Sequence, residues 1–363
     1  MPAKKPVVVL IHGMGEHSPG DMTGQFTTAM NAAMNKYTGF KTAKVENLAD
    51  IVEINYNGFF DQMRTKMADA ASPVADRLGS INVLSGLSWG SDLVLKLANI
   101  EKNFAKDEFL YTHFLDVVFY ATVLGGKVRV DVARQLGTII RQNSRADIHI
   151  VAHSLGTAVV HDTLALLYRK DADMNDDIPD LDLVTHRLSS IWMIANVSRL
   201  MCSITKLIDP GLSVVRPAPG GCVNYLNNVR HTLDPFTWFA RVDPQNDDSW
   251  IPKKYFDLAY QAIETSVVRK LDTHDFAEYV EHPKVAVPLM RRLLGKAPKA
   301  QEIDSVIADH EKEGIRGAFD ELSEALRDIQ ISDQATLAEL ARATKHFREV
   351  LGQFQEQLDA MGS

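Results

Sequence analysis

The segment 148–157 reads Ile-His-Ile-Val-Ala-His-Ser-Leu-Gly-Thr, and its chemistry-bearing member is Ser154. A β-branched apolar run, then small-x-Ser-x-Gly, then a helical pattern is the arrangement that forces a serine onto a sharp strand-to-helix turn. Small residues two places before and after the serine let the neighbouring strand and helix approach. Gly156 meets that need, and Ala152 adds one methyl group where glycine is commoner. A hydroxyl is a weak nucleophile until a base takes its proton. The helix that follows aims unpaired N–H groups at the place where negative charge develops on a substrate oxygen. The chemistry expected of such a serine is acyl transfer; the plainer alternative is a helix N-cap.

A second feature lies far upstream, where Val7 to Ile11 runs into His12-Gly13-Met14-Gly15. A glycine-rich turn at a strand end lets backbone N–H groups point into the space above a sheet. The amide of Met14, or of Gly13, is one expected oxyanion donor, and the amide of Leu155 is the other. An ordinary strand-to-helix turn is the bland reading of the same residues.

These groups need elements to hold them. The unbroken apolar run at 7–11 predicts a buried parallel strand, and further strands are expected at 51–56, 148–152, 191–195 and within 222–229, with a sixth at 262–268. Helical patterns at 22–37, 128–141 and 157–169 fall between them. Strands alternating with helices imply an α/β fold: a central, mostly parallel sheet covered by helices on both faces. Residues 58–127 interrupt the alternation. They include Leu84, Leu87, Trp89, Leu93, Phe109, Tyr111, Phe114 and Phe119 and read as a helical cap or lid, or as further helical packing on the sheet.

The chain has 363 residues and a formal charge of −8. From Lys299 to Ser363 there are 7 Lys or Arg against 14 Asp or Glu, so the tail holds nearly all of that charge and 299–363 separates from 1–298. Leu337, Leu340, Thr344, Phe347, Leu351, Phe354, Leu358 and Met361 step by threes and fours, and Phe319, Leu322, Leu326 and Ile329 keep the same rhythm. With Ser332-Asp333 as an N-cap, the tail reads as a helical hairpin that closes on itself, on the core, or on a second copy to give a homo-oligomer. An acidic chain without a basic face is a poor nucleic-acid binder. Cys202 and Cys222 are read as two buried thiols rather than a bridge. The first apolar run is too short for a secretory signal and no run is long enough to span a bilayer, so the expected location is cytoplasmic.

Taken together, Val-Val-Leu-Ile-His-Gly at 8–13, Ala-His-Ser-Leu-Gly at 152–156, and an acid and a histidine that follow in that order resemble the α/β-hydrolase fold, particularly its lipase and esterase branch. The resemblance implies an acid after a late strand. Asp234, before Pro235, fits that place, and Asp209 and Asp243, each also before proline, are the alternatives. It implies a histidine on the loop after the last strand. His274 fits, with His282 and His231 as competitors. The implied activity is hydrolysis of a small-molecule or lipid carboxylic ester through Ser154, His274 and Asp234, with no metal or organic cofactor. His149, His153 and His161 are expected to be packing or surface residues. An amidase or thioesterase on the same scaffold, and a silent fold that presents its acidic tail to a partner, are the competing readings.

Overall fold

A computed structural model describes residues 4–13, 15, 17–68, 116–117, 119–168, 178–205, 213–238, 251–256, 258–315, 317–326 and 337–362. Strands β1 (Val7–Ile11), β2 (Asp50–Ile54), β3 (Ile148–His153), β4 (Leu188–Ile194), β5 (Val223–His231) and β6 (Tyr260–Thr265) form one sheet in the order β2-β1-β3-β4-β5-β6. Every pairing is parallel, with Val9 opposite both Val52 and Ile150 in the register. The sixth strand begins two residues before its expected position and ends three earlier.

Eleven α-helices are described: α1 (Asp21–Asn35), α2 (Val45–Leu48), α3 (Asn57–Ala68), α4 (Gly125–Gln142), α5 (Leu155–Leu167), α6 (Ser198–Thr205), α7 (Phe276–Glu281), α8 (Pro283–Leu294), α9 (Ala300–Glu313), α10 (Ala318–Ala325) and α11 (Leu337–Gly362). They cover both faces of the sheet. Successive strand residues point to opposite sides, so Val8 and Leu10 pack with Met22, Phe26 and Met30 of α1 and with α7 and α8. Val7, Val9 and Ile11 pack with Val128, Val132 and Leu136 of α4 and with α5. Full burial of each such side chain contributes about 1.5–3 kcal/mol, which explains the unbroken apolar runs.

The connection after β1 crosses one face and that after β3 crosses the other. The order therefore reverses between these two strands, and a crevice opens at their carboxyl ends. Both features singled out by the sequence border that crevice.

Of the 58–127 insert, Val117, Phe119, Tyr120 and Leu124 are buried in the cluster that holds α4. Leu84, Leu87, Trp89, Leu93, Phe109, Tyr111 and Phe114 lie outside the described residues, and so does the Ser332-Asp333 turn. The tail forms three helices where the spacing predicts two. The additional helix, α9, packs Ile303 and Val306 against the core, a short stripe outside the residues on which the expected rhythm rests. Along α11, Thr344, Phe347 and Phe354 are buried as their spacing requires, and Phe347 meets Trp238 edge-on at 5.5 Å. Among the described residues no helix is long and apolar enough to cross a membrane.

Candidate functional site

Ser154 follows β3 directly and takes φ 53° and ψ −127°, a conformation that costs a non-glycine residue on the order of 1–3 kcal/mol. Its surroundings impose it. The Ser154 amide donates to Ile194 O at 3.0 Å, and its carbonyl accepts from both the amide (2.9 Å) and the hydroxyl (2.7 Å) of Thr157. Thr157 Oγ1 in turn accepts from the Val197 amide at 3.0 Å, which fastens the turn to the loop after β4. A Cβ at Gly156 would lie 2.3 Å from His12 O and 2.5 Å from Ile11 O, so only glycine lets α5 cross the end of β1. Ala152, at the other small position, is fully buried, and its single methyl group is accommodated.

Across the crevice, a Cβ at Gly13 would lie 2.6 Å from Ser154 Cβ. The turn is held from behind by His12, which is nearly inaccessible. His12 Nδ1 donates to Gly13 O at 2.9 Å, and its Nε2 accepts from the Tyr56 amide at 3.2 Å. Those partners fix the neutral tautomer. Burial first, and His17 second, lower the His12 pKa to about 3. Tyr56 stacks on the imidazole at 4.2 Å and donates its hydroxyl to His12 O at 2.6 Å. Further on, the Gly15 amide donates to the buried Asp116 Oδ2 at 2.9 Å. Met14 lies outside the described residues. Leu155 is the first residue of α5, where amides have no intrahelical acceptor.

Asp234 is fully buried at the turn after β5. Its Oδ1 accepts from the Phe236 amide at 3.0 Å, while Oδ2 accepts from His274 Nδ1 at 2.8 Å and from the Tyr279 hydroxyl at 2.7 Å. His274 sits on the loop after β6. It is braced by His153, whose Nε2 donates to His274 O at 3.0 Å, and its ring lies between those of Phe236 (4.6 Å) and His153 (4.7 Å). Thr273 Oγ1 donates to Leu233 O at 2.9 Å and ties this loop to the one carrying Asp234. Asp272 accepts the His274 amide at 3.0 Å. Burial disfavours the imidazolium, but the Asp234 carboxylate, helped by Asp272 and Asp275, outweighs it and raises the His274 pKa above 6.5.

Ser154 and His274 line one cavity of about 580 Å³, together with Gly13. Ser154 Oγ and His274 Nε2 are both buried, and neither has a hydrogen-bond partner among the described residues. Because Nδ1–H is committed to Asp234, Nε2 carries the lone pair of the neutral ring. The remaining described wall is mixed, with Gln25, Thr28, Lys270, Asp272 and Asp275 beside Met22, Phe276 and Ala277.

The structure therefore brings Gly13, Ser154, Asp234 and His274 to the same edge of the sheet. Asp209 and Asp243 lie outside the described residues. His231 is turned to the backbone of its own loops, with Nδ1 accepting from the Leu233 amide and Nε2 donating to Val267 O. His282 caps α8 through the Lys284 amide and packs against His310. His149 Nδ1 bonds Ser190 Oγ and His161 Nε2 bonds Ser213 Oγ, both away from the cavity. Cys202 and Cys222 are both buried and are not bridged to each other. Among the described residues no cluster of three or more His, Cys, Asp or Glu side chains is arranged to hold a metal ion.

The sequence reading gave no role to Tyr56, Asp116, Thr157 or Tyr279 and took His153 for a packing or surface residue. Tyr56, Asp116 and Tyr279 belong to no motif, and their hydrogen bonds at the site reach partners distant in sequence. No family model, curated protein or solved structure significantly matches the chain.

Proposed function

We propose that the protein is a serine hydrolase of the α/β-hydrolase fold that cleaves carboxylic esters by acyl transfer. One observation carries the reading: a serine strained onto a strand-to-helix turn shares a cavity with the free nitrogen of a histidine whose other nitrogen is bonded to a buried aspartate. The strand order, and the chain order serine, aspartate, histidine, support the fold assignment.

In the proposed cycle, His274 Nε2 takes the Ser154 proton as Oγ attacks the carbonyl carbon. Asp234 holds the imidazole in the required tautomer and stabilises the imidazolium. The amides of Leu155 and of Gly13 or Met14 receive the oxyanion, a contribution of about 2.7–4 kcal/mol per donor. His274 then protonates the leaving alcohol, and water, activated by the same nitrogen, releases the acyl group. Ser154 Oγ and His274 Nε2 have no mutual hydrogen bond before substrate arrives, a contact that commonly tightens only in the complex. The mixed wall offers Gln25, Thr28 and Lys270 to hydrogen-bonding groups of a substrate and Met22 and Phe276 to its apolar parts.

A fluorophosphonate probe is expected to label Ser154, with labelling lost in Ser154→Ala. A folded wild type that does not label would overturn the proposal. Short polar and long-chain p-nitrophenyl esters, run side by side, test which part of the wall sets the preference.

A further inference from the structure

Asp234 offers four lone-pair positions, and three donors use them. The Phe236 amide fixes Oδ1, and Oδ2 is shared by His274 Nδ1 and the Tyr279 hydroxyl. The direction of the Tyr279 hydrogen bond is not ambiguous. The His231 amide can only donate, and it reaches the same hydroxyl at 2.8 Å. A carboxylate can only accept, so the single hydroxyl proton goes to Asp234. Tyr279 thus stands on α7 between the end of β5 and the acid, with its ring edge-on to His231 at 6.5 Å.

We infer that Tyr279 is a positioning residue for Asp234: its hydroxyl, fixed by the His231 amide, holds the carboxylate in the orientation in which Oδ2 meets His274 Nδ1. The inference deepens the hydrolase reading and rests on it for its catalytic consequence. The shared oxygen has an electrostatic consequence too. A donor on Oδ2 draws off charge that would otherwise act on the imidazolium, so Tyr279 also moderates the basicity of His274.

Tyr279→Phe removes the hydroxyl and keeps the ring. Its expected effects are a His274 titration midpoint raised by about half a pH unit, read by NMR. With p-nitrophenyl acetate, kcat falls about tenfold at unchanged KM, the size of one hydrogen bond to a charged group. Thr273→Val is the control, because it cuts a tie between the same two loops without touching the carboxylate. It is expected to lower stability and leave the midpoint in place. An unmoved midpoint in Tyr279→Phe, or an equal shift in both variants, overturns the inference. In the wild type the Tyr279 hydroxyl proton is expected to exchange slowly and to show an NOE to the His231 amide; its absence overturns the inference whether or not the variants fold. Fluorophosphonate labelling of wild-type Ser154 separates the two claims. Without labelling, acyl transfer falls while a shifted midpoint still upholds the positioning of Asp234.

Discussion

Gly156 and His12 touch through their backbones, leaving no room for a side chain: a Cβ at 156 would come within 2.3 Å of the His12 carbonyl oxygen. The contact joins the helix that follows Ser154 to the turn that carries Gly13. Gly156→Val is therefore expected to destabilise the fold by about 1–3 kcal/mol, as overpacking against backbone does. Labelling of Ser154 should slow beyond what the unfolded fraction explains, because the two turns are pushed apart. Denaturant melts run beside labelling rates check both.

Thr157 tests the same turn from below. Thr157→Val keeps the shape but leaves the Ser154 carbonyl without its hydroxyl donor and the Val197 amide without its acceptor. Buried groups left unpaired cost about 1–3 kcal/mol. A loss of that order, with labelling reduced at matched folded fraction, is the expected outcome in urea titration and probe assays.

The His274 pKa lies above 6.5, and its effects on activity and stability run in opposite directions. The proposed cycle needs the neutral ring, so kcat/KM should fall as pH drops through a midpoint higher than 6.5. The folded state holds the proton more tightly than the unfolded chain does. Its stabilising contribution is fully present below pH 6.5 and is lost as pH rises through the folded value. A pH–rate profile with an acid limb at or below 6.5 would contradict this assignment.

His282 and His310 behave in the reverse sense. Their rings meet at 4.5 Å where the N-terminus of α8 meets the last turn of α9. Burial first lowers both; then His310, Lys284, His231 and Arg269 act on His282, and Arg269 and Lys36 act on His310 against the opposing pull of Glu313 and Glu281. Their pKa values fall to about 2 and about 4 respectively. Stability from keeping them neutral is present above pH 6.5 and declines as pH falls below it. His310→Phe, which keeps a ring at the contact, is expected to flatten that acid slope in thermal melts recorded between pH 7 and 5.

Phe347 connects the tail to the acid loop through Trp238. Phe347→Ala should cost about 3–5 kcal/mol, as for other buried aromatic truncations, and should change Trp238 fluorescence. A melt unchanged by the substitution would mean that α11 contributes little to the core.

Much of this arrangement was readable from local pattern. The runs at 7–11 and 148–152 announced buried strands because both faces of those strands are covered. Small-x-Ser-x-Gly announced the strained turn because backbone contact dictates the glycine. Asp234 and His274 were named only through the family resemblance, and the structure joins them by a 2.8 Å hydrogen bond. What stayed hidden is support that depends on partners distant in sequence. Nothing near residue 279 signals that its hydroxyl reaches residue 234, and nothing near residue 12 signals that its ring is seated on Tyr56. Helix α9 escaped notice because its apolar stripe, Ile303, Val306 and Ile307, is short and lies among polar and charged residues.

The parallel pairing of β1 with β3 brings Val9 beside Ile150 across a long stretch of intervening chain. Contacts so distant along the polypeptide close late, after the entropy of the loop has been overcome. The elbow at residue 154 leans on that pairing through Gly156 and His12, so no early, locally folded fragment can possess it. Covalent capture of the serine during refolding would therefore act as a clock for completion of the whole sheet.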